Sequence, residues 1–247
     1  MPTPNFRFKQ FEVYHDRCAM KVGMDGVTLG AWAELPALED ASEARILDIG
    51  TGCGLIALML AQKYPSAQID AIEIDPEAAA QAYENVQASP WKHRVRVHQG
   101  SFPEIMNTGA LGAAAGGYHL AVCNPPFFKG ELRPADAGRN LARHVGALTF
   151  AALAQGAAAS LHPQGRFSLI IPYSEAETFD NLAYQSGLYA IKACKLIPVE
   201  GALPKRILLT YSRTRSLLQR EELVIKTKDN IYTADYQNLT KDYYLEK

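Results

Sequence analysis

The stretch LDIGTGCGLIALMLAQKY (47–64) constrains this chain more than any other, because an apolar, β-branched run passes through Gly50, Gly52 and Gly54 straight into a helical apolar pattern. A strand that becomes a helix through alternate glycines is the opening of a parallel βαβ unit. Glycine there lets backbone approach a ligand closely, and the following helix N-terminus offers free N–H donors. The alternation continues down the chain. Strands are expected at ARILDI (44–49), QIDAIEI (68–74), VRVHQ (95–99), HLAVCN (119–124) and RFSLIIP (166–172), and helices at LIALMLAQKY (55–64), PEAAAQAYENVQAS (76–89) and ALTFAALAQGAAASL (147–161). A helical stretch at 174–186 precedes YAIKACKLIPV (189–199) and KRILLTYSRT (205–214), which are joined by the turn-rich EGALP and expected to add an antiparallel hairpin to the sheet edge. The fold class is therefore α/β, a mostly parallel sheet of seven strands with an antiparallel C-terminal hairpin. FRFKQFEVYH (6–15) has partial period-2 alternation and is expected to form a small hairpin or lid.

With 247 residues, 48% of them hydrophobic, the chain has enough apolar mass for one sizeable core. Cys18, Cys53, Cys123 and Cys194 are scattered without a Cys-x-x-Cys pair or a His/Cys cluster, so they read as buried small hydrophobes and no metal site is expected. The start lacks an apolar signal segment, and the apolar runs stop short of the ~20 residues needed to cross a bilayer; a cytoplasmic protein without membrane contact is expected. The net charge of −1 hides an asymmetry: residues 1–30, 31–190 and 191–247 carry +1, −6 and +4. The C-terminal part is thus the basic one, as a nucleic-acid surface or an ordinary solvated face would be.

Glu73 lies 21 residues beyond Gly52, at the tip of the second core strand, where a carboxylate can accept both hydroxyls of a ribose. The pairing of glycine turn and acid points to an adenosine-containing cofactor. Because Gly52-Cys-Gly-Leu-Ile-Ala57 also fits G-x-G-x-x-A, an NAD-dependent oxidoreductase stays open on this motif. Asp48 is placed either to orient the turn or to pair with a ligand's cationic amine. Ile74 suits an adenine face or ordinary core, Ser101 and Phe102 suit an adenine edge or a simple helix cap, and Asp75 before Pro76 reads as an N-cap.

At the end of the fourth core strand stands Asn124-Pro125-Pro126-Phe127. An adenine amino nitrogen is a poor nucleophile, its lone pair being delocalised into the ring. It needs acceptors rather than a strong base, and the Asn124 side-chain oxygen with the Pro125 carbonyl can take both N–H groups. Consecutive prolines hold those acceptors in place beforehand, and Phe127 offers a flat face on which a flipped-out base stacks, worth ~1–3 kcal/mol. As a chance turn the tetrapeptide is unremarkable, but ligands bind along the edge where it sits.

DIGTGCG (48–54) together with NPPF (124–127) resembles the Rossmann-like N6-adenine and related amino methyltransferases. FRFKQF (6–11), KVGMDGVTLGAW (21–32), NPPFF (124–128), ARHVGALTF (142–150), PKRILLTY (204–211) and YTADYQNLTKDYYL (232–245) extend the likeness over nearly the whole chain, to the bacterial family that modifies the adenosine beside the anticodon of valine tRNA. The resemblance implies a class I methyltransferase fold, S-adenosylmethionine as cofactor and tRNA as partner. It further implies that Lys21, Gly23 and Asp25 line the methionine end of the cofactor and that Arg143 and His144 face substrate. Ser101 stands where many relatives carry an acid. From the residues themselves, Phe128, Lys129, Arg133, Arg139, Arg143 and His144 follow the tetrapeptide as a phosphate-facing loop, with Lys205 and Arg206 beside them in the basic C-terminal part. A single monomeric methyltransferase domain is expected, with an N-terminal hairpin or lid (1–30), a catalytic core (31–215) and a C-terminal extension (216–247). The NPP-aromatic chemistry also serves DNA adenine, ribosomal RNA and glutamine amides, and a non-catalytic RNA-binding module would use the same basic surface.

Overall fold

The computed structural model describes residues 4–40, 44–109, 111, 116–126 and 148–245. After a two-stranded hairpin, β1 (Asn5–Arg7) and β2 (Glu12–Tyr14), and the helix α1 (Met24–Trp32), the chain alternates β3 (Arg45–Ile49), α2 (Leu55–Lys63), β4 (Gln68–Glu73), α3 (Pro76–Ala88), β5 (Val95–Gln99), α4 (Phe102–Asn107), β6 (Tyr118–Cys123), α5 (Phe150–Ser160) and β7 (Leu161–Pro172). The helix α6 (Ala176–Gln185), the strands β8 (Tyr189–Val199), β9 (Arg206–Ser212) and β10 (Gln219–Lys226), and the short helix α7 (Ala234–Thr240) complete it. The main sheet runs β10-β8-β9-β7-β6-β3-β4-β5. All its pairings are parallel except those that β9 makes with β7 and β8.

Burial explains why these segments take these forms. Every residue of β3 after Arg45 is buried, as in a strand covered on both faces. Residues 55–61 of α2 are buried all round, so this helix lies inside the molecule rather than upon it. α3 is amphipathic and begins as its sequence indicates, with Pro76 in the first turn and Asp75 Oδ1 accepting the Ala78 N–H at 2.9 Å. One apolar cluster joins α1, α2, α3, α7 and the N-terminal hairpin to one face of the sheet. A second joins α4, α5 and α6 to the other.

The sheet has eight strands where seven are expected. The extra one, β10, pairs in parallel with β8 and takes the edge position that the hairpin β8–β9 was expected to hold. Its first half, Gln219–Glu222, is exposed and polar, so the sequence there looks like a loop; only Leu223 and Ile225 are buried. α1 is also hidden in the sequence by Gly26 and Gly30, which lower helix propensity. Packing supplies the reason: a Cβ on Gly30 would lie 2.8 Å from Met59 Sδ of α2. The four cysteines are buried and none is in a disulfide.

Candidate active site

The chain runs outward from β3 to β4 and β5 in one direction and from β6 to β7 in the other, so the sheet order reverses between β3 and β6. The carboxyl ends of strands at such a reversal open a crevice. Here it holds two adjoining cavities of about 380 and 490 Å³ that share Met20, Gly50 and Gly52.

The glycine turn divides them. Gly50 and Thr51 both donate to Ile72 O at 2.9 Å, which pins the turn to β4. Gly50, Gly52 and Gly54 have φ of +71°, +56° and +85°, a region that L side chains avoid. A Cβ on Gly50 or Gly52 would meet nothing within 4 Å, so the backbone angle, not crowding, requires glycine there. Asp48 lies fully buried behind the turn, its Oδ2 accepting Thr51 Oγ1 at 2.6 Å and the Ala57 N–H at 3.1 Å. Of its two expected roles the structure displays the first, orienting the turn. Burial pushes its carboxyl up to about 7, while Thr51 and Ala57 pull the other way. Neither Asp48 nor Gly54 lines the crevice; Gly54 is the left-handed N-cap of α2.

The larger cavity is lined by Glu73, Ile74, Ser101, Phe102, Pro125 and Pro126 among others. Glu73 accepts the Gly52 N–H at 2.8 Å with Oε2 and the Asp75 N–H at 3.0 Å with Oε1. Each oxygen keeps a lone pair that a ribose hydroxyl can use. Ile74 is 46% exposed, an apolar side chain presented to the cavity rather than packed in the core. Ser101 occupies the N-cap of α4 without a side-chain capping bond, leaving its hydroxyl to the cavity. Phe102 is buried and packs so close to Gly156 that a Cβ there would overlap its ring.

The smaller cavity is lined by Lys21, Gly23, Asp25, Gly26 and Asn124. Lys21 donates its ammonium to His15 O at 2.9 Å and Asp16 O at 3.0 Å, bracing the segment before it. That segment is held from α3 by two buried amides that no sequence motif marks. Asn85 accepts the Tyr14 N–H at 3.0 Å and donates to Tyr14 O at 2.7 Å and to Cys53 O, inside the glycine turn, at 2.9 Å. Gln81 donates to Asp16 Oδ1 at 2.6 Å and accepts the Arg17 N–H at 3.0 Å and the Cys18 thiol at 3.2 Å. The Cys53 thiol hydrogen-bonds Cys18, which holds Cys18 below the usual thiol range and, with burial, pushes Cys53 up.

Asn124 follows β6, between the two cavities, with Pro125 buried behind it. Its Oδ1 is shielded from solvent and meets no hydrogen-bond donor among the described residues. A buried acceptor left without a donor costs ~1–3 kcal/mol, and this one borders the smaller cavity, where a bound ligand's N–H can complete it. Of the residues expected at the substrate, Phe127, Phe128, Lys129, Arg133, Arg139, Arg143 and His144 lie outside the described residues. Lys205 is exposed at the same sheet edge. Arg206 is not a free cation: its Nε donates to Asp25 Oδ2 at 2.9 Å. The sequence separation of 181 residues gives no hint of that pair. Among the described residues no group of three or more His, Cys, Asp or Glu is placed to hold a metal ion, and no helix is long and apolar enough to cross a membrane.

Residues 24–176 match the methyltransferase small domain family. The chain is 42% identical over 246 residues to the tRNA1(Val) (adenine(37)-N6)-methyltransferase of Bacteroides thetaiotaomicron, covering 99% of each chain. It is likewise 42% identical over 241 residues to the protein of that name in Pasteurella multocida, covering 97% of this chain and 96% of that one. Among solved structures, a predicted O-methyltransferase from Agrobacterium tumefaciens aligns with a TM-score of 0.68 at 20% identity, over 89% of this chain and 96% of that one. The methyltransferase subunit of a type I restriction-modification system from Streptococcus thermophilus aligns with a TM-score of 0.60 at 13% identity, over 90% of this chain and 52% of that one. At those identities the two structures speak for the fold alone.

Proposed function

We propose, from the premise that this chain belongs to the bacterial tRNA1(Val) (adenine(37)-N6)-methyltransferase family, that it methylates the N6 amine of adenosine 37 in valine tRNA with S-adenosylmethionine as donor. The single observation that carries the chemistry is the buried Asn124 Oδ1, which has no donor among the described residues, at the reversal point of the sheet.

The residues present fit this cofactor. Glu73 has acceptors for the ribose, Ile74 and Phe102 offer apolar surface for the adenine, Ser101 offers a hydroxyl to its edge, and Lys21, Gly23 and Asp25 border the cavity for the amino-acid end. When bound there, the cofactor supplies an electrophilic methyl group on a sulfonium. The protein's own part is positional. Asn124 Oδ1 takes one N–H of the target amine and the Pro125 carbonyl the other, which draws the nitrogen lone pair out of conjugation and aims it across the Gly50–Gly52 turn. Pro125 and Pro126 fix those acceptors before substrate arrives, so little reorganisation is needed as charge shifts. With the cofactor bound, the nitrogen–carbon bond would form as the carbon–sulfur bond broke, leaving the neutral thioether S-adenosylhomocysteine, and the acidified amine proton, held toward Asn124 and Pro125, would be lost to water. Phe127 stacks on the flipped-out base, and Phe128, Lys129, Arg133, Arg139, Arg143, His144 and Lys205 face the RNA backbone. We read the enzyme as a cytoplasmic monomer.

The test is direct. Protein is incubated with methyl-labelled S-adenosylmethionine and a pool of unmodified tRNA, then the RNA is digested to nucleosides. Labelled N6-methyladenosine recovered from valine tRNA captured from the pool before digestion is expected; label only in other tRNAs or in another nucleoside, or no label, would end the reading.

A further inference from the structure

α1 lies unusually close to its neighbour. Its glycines at 26 and 30 are one turn apart on the face toward α2, where a Cβ would lie 3.1 Å from Leu55 Cδ2 at the first and 2.8 Å from Met59 Sδ at the second. The close approach brings the first turn of α1 to the smaller cavity and beside Asn124, whose Nδ2 is 3.9 Å from where a Gly26 Cβ would be. That turn is weakly held from within, since the N-cap residue is Gly23 and makes no side-chain capping bond. It is held from outside instead. Asp25 Oδ2 receives the Arg206 Nε at 2.9 Å, and Arg206 is the first residue of β9, paired with Pro172 of β7 and Leu196 of β8. The cation is thus mounted on two neighbouring strands of the sheet while its partner carboxylate borders the cavity. Arg206 also donates Nη1 to the Lys205 carbonyl at 3.3 Å, and it does not itself line the crevice.

The geometry points to Arg206 as a positioning residue for the amino-acid end of the cofactor: by gripping one oxygen of Asp25 it fixes the first turn of α1 and leaves the other oxygen for the ligand's ammonium, instead of serving as an RNA phosphate ligand. The inference rests on the reading above that the α1 side of the crevice takes the amino-acid end and the Glu73 side the adenosine. An Arg–carboxylate contact to a side chain on a rigid strand constrains direction as well as distance, which a lysine in its place does less well.

Two ligands separate this role from its rivals: S-adenosylhomocysteine, which carries the amino-acid end, and 5′-methylthioadenosine, which lacks it. Affinities for both are measured by calorimetry for the wild type, Arg206→Gln, Arg206→Lys, Asp25→Asn and the Asp25→Asn/Arg206→Gln double variant, and tRNA affinity is measured against salt concentration. Each of the Gln and Asn variants should lose about tenfold in affinity for S-adenosylhomocysteine while staying within about twofold for methylthioadenosine. The double variant should be no worse than Asp25→Asn alone, since Arg206 acts only through that carboxylate, and Arg206→Lys should recover part of the loss. The slope of tRNA affinity against salt should not change. Equal losses for both ligands would reduce Arg206 to a general structural role and overturn the inference. So would an unchanged ratio of the two affinities together with a salt slope lowered by about one, the mark of a phosphate contact. Failure of the wild type to bind S-adenosylhomocysteine at all would instead defeat the cofactor reading, a result distinct from both.

Discussion

Asp48 sits where a charge is hardest to keep, fully buried behind the glycine turn with one oxygen bonded to Thr51 and Ala57 and the other without a partner among the described residues. Burial raises its carboxyl to about 7 in the folded protein, so the native state holds this proton at pH values where the unfolded chain has already released it. The folded state then binds more protons than the unfolded one between about pH 4 and pH 7, and the group makes stability fall as pH rises through that window. Asp48→Asn keeps an acceptor for Thr51 and Ala57 and removes the titration. Denaturant unfolding of wild type and variant at pH 4 and pH 8 should show the variant gaining on the wild type by on the order of 2–4 kcal/mol toward the higher pH. A difference that stays constant across that range would show that Asp48 is ionised throughout.

At the level of elements, the segment from the β1–β2 hairpin to α1 is not free to leave the crevice, because Asn85 and Gln81 of α3 bind its backbone and Asn85 also reaches Cys53 in the glycine turn. Asn85→Ala leaves the Tyr14 N–H and two carbonyls without their partner, at a cost of ~2–4 kcal/mol. Faster amide exchange or proteolysis across residues 12–20, with weaker S-adenosylhomocysteine binding, is the expected result; unchanged protection there would mean that the hairpin is held by its aromatic packing alone. The same region marks where sequence reading reached its limit. β3 to β9 were legible because buried strands and crossover helices impose their periods on the residues, and the turn with Glu73 was legible because a ligand's phosphate-free backbone contact and a ribose each demand a residue type at a set spacing. Asn85 and Gln81 look in sequence like the wet face of a helix, and their burial depends on a hairpin more than sixty residues away. The Asp25–Arg206 pair, α1 with its two glycines and the half-polar β10 were missed for the same reason, each being decided by a partner distant in the chain.

Across the whole molecule, residues 219–245 are part of the body that carries the crevice. β10 covers the free edge of β8, Trp32 of α1 donates to Glu221 of β10 at 3.4 Å, and Tyr236 and Tyr243 are buried in the cluster that contains α1 and α2. Tyr243 O also receives the Lys9 N–H at 2.8 Å, which ties the two ends of the chain together. A chain ended after residue 215 should therefore expose the β8 edge and the α1–α2 cluster and be recovered as aggregate, judged by size-exclusion chromatography. A monodisperse truncated protein that still binds S-adenosylhomocysteine would show those residues to be dispensable. Whether Asn124 and Pro125 hold a weakly nucleophilic amine against the methyl donor is read from single-turnover methyl transfer to valine tRNA by Asn124→Ala, with S-adenosylhomocysteine affinity measured on the same preparation. Transfer slowed by roughly 10²–10³-fold, with cofactor affinity within a few-fold of wild type, is expected. Transfer at the wild-type rate, with N6-methyladenosine still the product, would contradict it.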